Sequence, residues 1–493
     1  MYIRNEDTIC APATVPGTGA ISVIRVSGPE AHSVADKVIR CRRGNISDAK
    51  GYTIRFGTVL DASENTIDEV LVSVFRAPYS YTGENSVEIS CHASSFIVTS
   101  IMDLLYAAGA RAAEPGEFTQ RAYLNGKMDL AQAEAVADVI ASQNAAAHRI
   151  AFKQMKGGFS SELKTMRGEL LELVSLMELE LDFSEEEVEF ADRSRLDSLL
   201  DQITTHVSKL IDSFRLGNAI KNGVPVAIAG ATNTGKSTLL NALLGEDRAI
   251  VSDVHGTTRD TIEETLNIGG VLFRFIDTAG LRETEEVVEK IGIERTFKKI
   301  SEASIVLGMV DLTRDFDTTC DTVREIISKV DFETQKLVIL LNKTDICEVN
   351  KNVNIVNFIV SSLENMSIAN FVGNSVCNLE NLGNQSNGTT EIVPISAKTG
   401  SGIENLRQIL AASQRDLLGD SDTTLVTNQR HVQALSDART SLLRVREGLA
   451  FGLPTDLAAQ DIREAIYHLG SIVGEISTDE VLGNIFRNFC IGK

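Results

Sequence analysis

Hydrophobic and polar positions alternate with two different periods along this chain, and the changes between them divide it. Near the start, apolar residues recur at every second position over 20–27, 51–60, 69–75 and 86–92, which reads as strands. Segments 29–39 and 94–108 between them carry the three- and four-residue spacing of helices. Residues 1–125 therefore read as an α/β module. From Gly126, runs of Ala, Leu and Glu take over, and the spacing predicts long antiparallel helices over 129–149 and 160–181, then a third over 195–216. Strand-like runs return at 224–229, 273–276, 336–341 and 391–395, and helical spacing resumes at 428–448 and 457–476. The simplest arrangement is a helical domain built from both flanks, 126–217 and 420–493, with an α/β domain over 218–419 inserted into it, because the termini of a domain often lie close together. Segment 350–390 is rich in Asn and Ser and reads as a partly mobile surface insertion.

Each strand of the inserted domain ends in a chemical motif. After the first comes Gly230-Ala231-Thr232-Asn233-Thr234-Gly235-Lys236-Ser237, with Thr238 opening a helix-like run. Strand, glycine turn and helix start are the context of a P-loop, whose N–H groups face a polyphosphate. Lys236 then reaches the β and γ oxygens, and the Ser237 hydroxyl suits Mg²⁺. The second strand ends in Asp277-Thr278-Ala279-Gly280, an acid for Mg²⁺ through water and a glycine N–H for the γ-phosphate. Asn342-Lys343-Thr344-Asp345 follows the third, and the Asp345 carboxylate can accept from N1 and N2 of guanine, a donor pair that adenine lacks. Ser396-Ala397-Lys398 follows the fourth. Together, and in this order, the four motifs resemble the Ras-like GTPase superfamily, and the ligand they imply is GTP.

Composition narrows the rest. At 493 residues the chain is too long for one core, and 43% hydrophobic with 23% charged residues is ordinary for a globular protein. The net charge of −21 is not, and it excludes a broad basic nucleic-acid face, so any RNA contact must be local or supplied by a partner. Seven scattered cysteines show no metal-ligand or disulfide spacing, which suggests reduced thiols and a cytoplasmic address. No signal peptide is visible, and the longest apolar runs are strand-sized, so no membrane contact is expected.

Hydrolysis poses a problem. Gly256-Thr257-Thr258-Arg259-Asp260 lies where GTPases place the threonine that completes the Mg²⁺ shell, and Thr258 is the candidate. Many relatives carry a water-orienting glutamine after the second-motif glycine, but here that position is Leu281. The Asn233 amide, together with carbonyls of the loop Val251-Ser252-Asp253-Val254-His255, could cage a monovalent cation instead. In the N-terminal module Arg25 and Glu88 stand out among apolar neighbours, and periodicity alone favours an ion pair or exposure to water for both.

Longer motifs narrow the resemblance. Gly256 to Asp260, Asp277-Thr278-Ala279-Gly280-Leu281-Arg282, Glu289-Lys290-Ile291-Gly292-Ile293-Glu294, the run 115–134 and the terminal Cys490-Ile491-Gly492-Lys493 are similar to the tRNA wobble-uridine modification GTPases, the MnmE or TrmE family. The resemblance implies a GTP-hydrolysing enzyme that modifies carbon 5 of the wobble uridine of certain tRNAs, with an aminomethyl or carboxymethylaminomethyl product. It implies a homodimer and a flavin-dependent partner of the MnmG or GidA type. Potassium-dependent dimerisation of GTPase domains is also implied, with K⁺ ligands at Asn233, Ser252, Val254 and Thr257, Mg²⁺ at Ser237 and Thr258, and Glu289 orienting water. The N-terminal module is implied to bind 5-formyltetrahydrofolate through Arg25, Glu88, Lys127 and Lys493, which turns the first two from an ion pair into ligands. His92 is followed by Ala93-Ser94 where many members have glycines. Cys490 fits prenylation badly because Gly492 and Lys493 follow it; a structural thiol and a reactive one stay open. Two rivals remain. A ribosome-assembly GTPase switch leaves the N-terminal module and the tail unexplained, and an ion-transport GTPase needs membrane spans.

Overall fold

The computed structural model describes residues 7–182, 193–245, 263–276, 301, 303–347, 349–364, 390–413, 424–451, 455–475, 479–487, 489 and 492. Two compact units emerge. One consists of Met1–Ser142, Arg149–Asp212 and Asn428–Lys493; the other consists of Gln143–His148 and Ser213–Thr427.

The first unit opens with a seven-stranded sheet. Its strands are β1 (Ile9–Pro12), β2 (Ile21–Ser27), β3 (Ile39–Cys41), β4 (Thr53–Leu60), β5 (Thr66–Phe75), β6 (Ser86–His92) and β7 (Arg111–Ala112), in the order β3-β4-β5-β6-β2-β1-β7. Strict alternation in β5 and β6 sends Val70, Val72, Val74, Val87 and Ile89 inward. They pack on α1 (Ala31–Val38) and α2 (Ser95–Ala107) through Val34, Ala35, Ile101 and Leu105. Helix α3 (Glu117–Leu124) carries the fully buried Arg121, which pairs with Asp7, Glu84 and Glu117.

The helical part of this unit comprises α4 (Leu130–Ala141), α5 (Ala145–Met155) from Arg149 on, α6 (Gly158–Asp182) and α7 (Arg193–Asp212), and the returning α13 (Gln429–Ala450), α14 (Thr455–Val473) and α15 (Asp479–Phe486). Here the sequence expectation needs correction twice. The helix expected over 129–149 is two helices, because Asn144 takes a capping position and accepts from the Ala147 N–H at 2.7 Å. The helix expected over 195–216 ends at Asp212, and α8 (Phe214–Asn222) follows in the second unit.

The second unit has a six-stranded sheet of β8 (Val224–Ala229), β9 (Glu263–Ile268), β10 (Val271–Ile276), β11 (Ile305–Asp311), β12 (Lys336–Asn342) and β13 (Thr390–Pro394). The order is β13-β12-β11-β8-β10-β9, parallel except for the edge strand β9. Near-continuous apolar burial in β8, β11 and β12 is what a sheet covered on both faces requires. Helices α9 (Lys236–Leu244), α10 (Phe316–Ile327), α11 (Val349–Glu364) and α12 (Ile403–Ser413) complete it. Helix α11 corrects the expected surface insertion over its first part: Ile355, Val356 and Ile359 are buried against the core at helical spacing. Residues 365–389 lie outside the described residues.

Candidate functional site

The chain leaves β8 and crosses from one side of the sheet to the other, so the carboxyl end of β8 is where an open α/β sheet has its crevice. The P-loop occupies that end. Gly235 adopts φ 100° as the N-cap of α9, and a Cβ there would stand 2.5 Å from Asn342 Nδ2, so only glycine fits. Asn233 also has positive φ, at 62°. Strain of this kind on a side chain that is not glycine concentrates at functional sites. The ammonium of Lys236 donates to the Gly230 and Ala231 carbonyls at 2.9 Å each, which holds it across the loop. Thr234 is buried and its hydroxyl donates to Ala231 O, whereas Asn233, Ser237 and Thr238 are exposed.

Asn342 ties three motifs together. Its Nδ2 donates to Thr234 O at 2.7 Å, and its Oδ1 accepts from the Ala397 N–H at 3.0 Å, all of it buried. The third motif is thereby anchored to the P-loop on one side and to the Ser396-Ala397-Lys398 turn on the other. Thr344 strengthens the second link by donating through its hydroxyl to Ile395 O at 3.0 Å. Lys343 follows at φ 68° and sends its ammonium to Asp311 Oδ2 at 2.7 Å. Burial works to raise the Asp311 pKa, but hydrogen bonds from Lys343 and Thr313 outweigh it and hold the carboxyl below its ordinary value. Asp345 and Lys398 remain exposed, and Ser396 is buried.

Asp311 escaped the sequence reading. Its signal was an acid closing the apolar run 305–310, as Asp277 follows the run 273–276. Arg314 also escaped: its guanidinium donates to Thr232 O in the P-loop at 2.6 Å.

In the N-terminal sheet, Arg25 and Glu88 are directly opposed on β2 and β6. Arg25 donates twice to Glu88 Oε1, at 3.0 and 2.8 Å, so the ion pair that periodicity favours is what the structure contains. The guanidinium lies 5.1 Å from the Tyr81 ring centre and 5.6 Å from that of Phe118, and it also donates to Gly492 O at 3.4 Å. Gly492 has φ 98° and approaches Pro12 so closely that a Cβ would stand 2.3 Å from its carbonyl oxygen. The C-terminal tail thus reaches the charged pair. Lys127 donates to Pro78 O at 3.0 Å, in the same loop that supplies Tyr81.

Ser252, Asp253, Val254, His255, Gly256, Thr257 and Thr258 lie outside the described residues, as do Asp277, Thr278, Ala279, Gly280, Glu289, Cys490 and Lys493. Among the described residues no cluster of three or more His, Cys, Asp or Glu side chains could hold a metal ion, and no helix is long and apolar enough to cross a membrane.

Known proteins give this geometry a family. The profile of the MnmE helical domain matches residues 130–490, and that of the GTP-binding protein TrmE N-terminus matches 8–127. The tRNA modification GTPase MnmE of Parabacteroides distasonis is 52% identical over 99% of this chain and 100% of its own length. That of Bacteroides thetaiotaomicron is 50% identical with the same coverage. That of Porphyromonas gingivalis is 49% identical over 100% of this chain and 99% of its own. With its P-loop, its Asn342 bridge and similarity along its whole length, the chain belongs to the MnmE family of tRNA modification GTPases, with a Ras-like GTPase domain set into a helical domain behind a TrmE-type N-terminal domain.

Proposed function

We propose that this GTPase couples GTP hydrolysis to modification of the wobble uridine of certain tRNAs. Together with a flavin-dependent partner protein it installs an aminomethyl or carboxymethylaminomethyl group at carbon 5. The observation that carries the reading is 52% identity, end to end, with a relative named for tRNA modification. In this reading the working parts are an N-terminal folate-binding and dimerisation domain (1–125), a split helical domain (126–217 and 420–493) and the GTPase domain (218–419), acting as a homodimer in the cytoplasm.

Ser237 and Thr258 would hold Mg²⁺ through their hydroxyls. The Asn233 amide, the carbonyls of Ser252 and Val254, and Thr257 would hold a potassium ion, which would supply the positive charge that other GTPases draw from an arginine finger. Asn233 and Ser237 support this, since both are exposed at the P-loop and carry neutral oxygens suited to hard cations. Glu289 orients the attacking water. Asp345 reads guanine, supported by Ser396 to Lys398. 5-Formyltetrahydrofolate is the carbon donor, held by Arg25, Glu88, Lys127 and Lys493. The Arg25 cation flanked by Tyr81 and Phe118 supports this, because it offers both charge for a carboxylate and rings for a flat heterocycle.

The deciding experiment is mass spectrometry of wobble nucleosides after unmodified tRNA is incubated with the chain, the flavin partner, GTP and the folate, with Lys236→Ala as control. Modified uridine that disappears in the control supports the reading. Its absence from reactions in which GTP is hydrolysed defeats it. The cation proposal is checked by turnover in potassium against sodium: the expected result is faster hydrolysis in potassium and loss of that advantage in Asn233→Ala. Equal rates in the two salts would sink it.

A further inference from the structure

A P-loop turns its N–H groups toward phosphate, so its carbonyls point away and need donors of their own. The carbonyls of Gly230, Ala231, Thr232 and Thr234 all accept from side chains. Lys236 serves Gly230 and Ala231 at 2.9 Å each, the Thr234 hydroxyl also serves Ala231, and Asn342 serves Thr234 at 2.7 Å. Thr232 O accepts from Arg314 Nη2 at 2.6 Å. Lys236 and Thr234 belong to the P-loop itself and Asn342 to the third motif, whereas Arg314 belongs to none of the four nucleotide motifs.

Arg314 reaches the loop from ordered backbone. A Cβ at Gly230 would stand 2.6 Å from Met309 O, so the P-loop lies against the carboxyl end of β11. Just beyond, Asp311 turns the chain: its Oδ1 accepts from the Thr313 N–H at 3.0 Å and from the Thr313 hydroxyl at 2.7 Å. Its Oδ2 stands 3.9 Å from Arg314 Nε. On the other flank Asp315 caps α10 by accepting from the Thr318 N–H at 2.9 Å. The guanidinium is thus presented to the P-loop between a side-chain-stabilised turn and a helix cap.

The oxygen it holds belongs to the peptide that joins Thr232 to Asn233, and Asn233 is the residue with φ 62°. A side chain other than glycine left to itself favours negative φ. Rotation of φ at Asn233 turns the peptide before it against the rest of the loop. The Arg314 bond on that peptide and the Asn342 bond on the carbonyl of Thr234 oppose this turn from either side. We propose that Arg314 is a positioning residue for nucleotide binding: by holding the peptide that precedes Asn233, it keeps Asn233 at positive φ and the N–H groups of the loop turned toward the phosphates.

The test is the dissociation constant of a fluorescent GDP analogue on the full chain, for Arg314→Ala and Arg314→Lys, each made alone and together with Asn233→Gly. Expected is roughly tenfold weaker binding in Arg314→Ala, the scale of a lost charge-assisted hydrogen bond. Arg314→Lys, whose ammonium still donates, returns to within about threefold of wild type. Glycine adopts positive φ freely, so beside Asn233→Gly the change Arg314→Ala costs less than about threefold. The urea midpoint stays at the wild-type value, which separates lost positioning from lost folding. Wild-type affinity in Arg314→Ala overturns the proposal. So does a loss of equal size with and without Asn233→Gly, because Arg314 then acts on something other than Asn233. No recovery in Arg314→Lys, or a urea midpoint that falls together with affinity, makes the contact one of packing alone and overturns it as well.

Discussion

Asn342 is a side chain whose value lies in what it joins. Both ends of its amide are buried and occupied, one by the P-loop carbonyl of Thr234 and the other by the Ala397 N–H. Removing it in Asn342→Ala leaves a buried carbonyl and a buried N–H without this partner, a cost of about 1–3 kcal/mol that falls on the nucleotide-binding conformation. The expected outcome is GTP binding weaker by roughly 10- to 100-fold, measured with a fluorescent GTP analogue, with little change in melting temperature. Unchanged affinity would mean that the two loops hold their places without the bridge. The motif itself was legible in the sequence, but its partner Asp311 was not. A lone acid at a strand end has no spacing to mark it, and its link to Lys343 spans 32 positions and depends on β11 lying beside β12.

At the scale of elements, period carried most of the information. The alternation in β5 and β6 and the apolar runs of β8 and β12 are direct consequences of which faces are covered, and so they could be read in advance. What could not be read was where helices stop. The run 129–149 keeps helical spacing throughout, and the break comes from one Asn whose side chain offers the backbone an alternative partner. The same competition opens α4. Asp129 accepts from the Gln132 N–H at 3.0 Å while the Gln132 side chain accepts from the Asp129 N–H at 3.0 Å, a complete capping box. Asp129→Ala is expected to cost about 1 kcal/mol, read as a lowered urea midpoint with an unchanged slope. The two-residue β7 and the three-residue β3 were also missed, since so short a strand leaves no period to detect.

Across the whole first unit, one buried ionic cluster joins segments almost 300 positions apart. Glu134 on α4 pairs with Arg430 at 2.9 Å and with His431 at 2.5 Å on α13, and Arg430 also donates to the carbonyls of Ser471 and Ile472 at the end of α14. Burial pushes the Glu134 pKa up, but the charges and hydrogen bonds of His431 and Arg430 outweigh it and bring the carboxyl down to about 2. A depressed carboxyl stabilises the fold fully above its unfolded value, near 4.5, and that contribution fades as pH falls toward 2. Over this window the unit is expected to lose on the order of 3 kcal/mol from this group. Urea unfolding of the wild type at pH 7, 4 and 3 checks it against Glu134→Gln, which should start less stable at pH 7 and lose less on acidification. Parallel losses in both would show that the acid sensitivity lies in other groups.

The division of the first unit by the second has a consequence for how the chain comes into being. Helices α6 and α7 present Leu170, Leu173, Val174, Leu200, Ile203 and Val207 to a core completed by α13 and α14. Those partners come after the second unit's long segment Ser213–Thr427, which a ribosome adding roughly 5–20 residues per second needs about 10 to 40 s to make. During that interval the second unit can finish its own sheet, while the apolar faces of α6 and α7 wait uncovered. Val426 N–H bonds to the Ser213 hydroxyl at 3.1 Å, so completion of the inserted unit draws its two ends together. In time, the GTPase segment stands between the first four helices of the helical body and the three that complete its core.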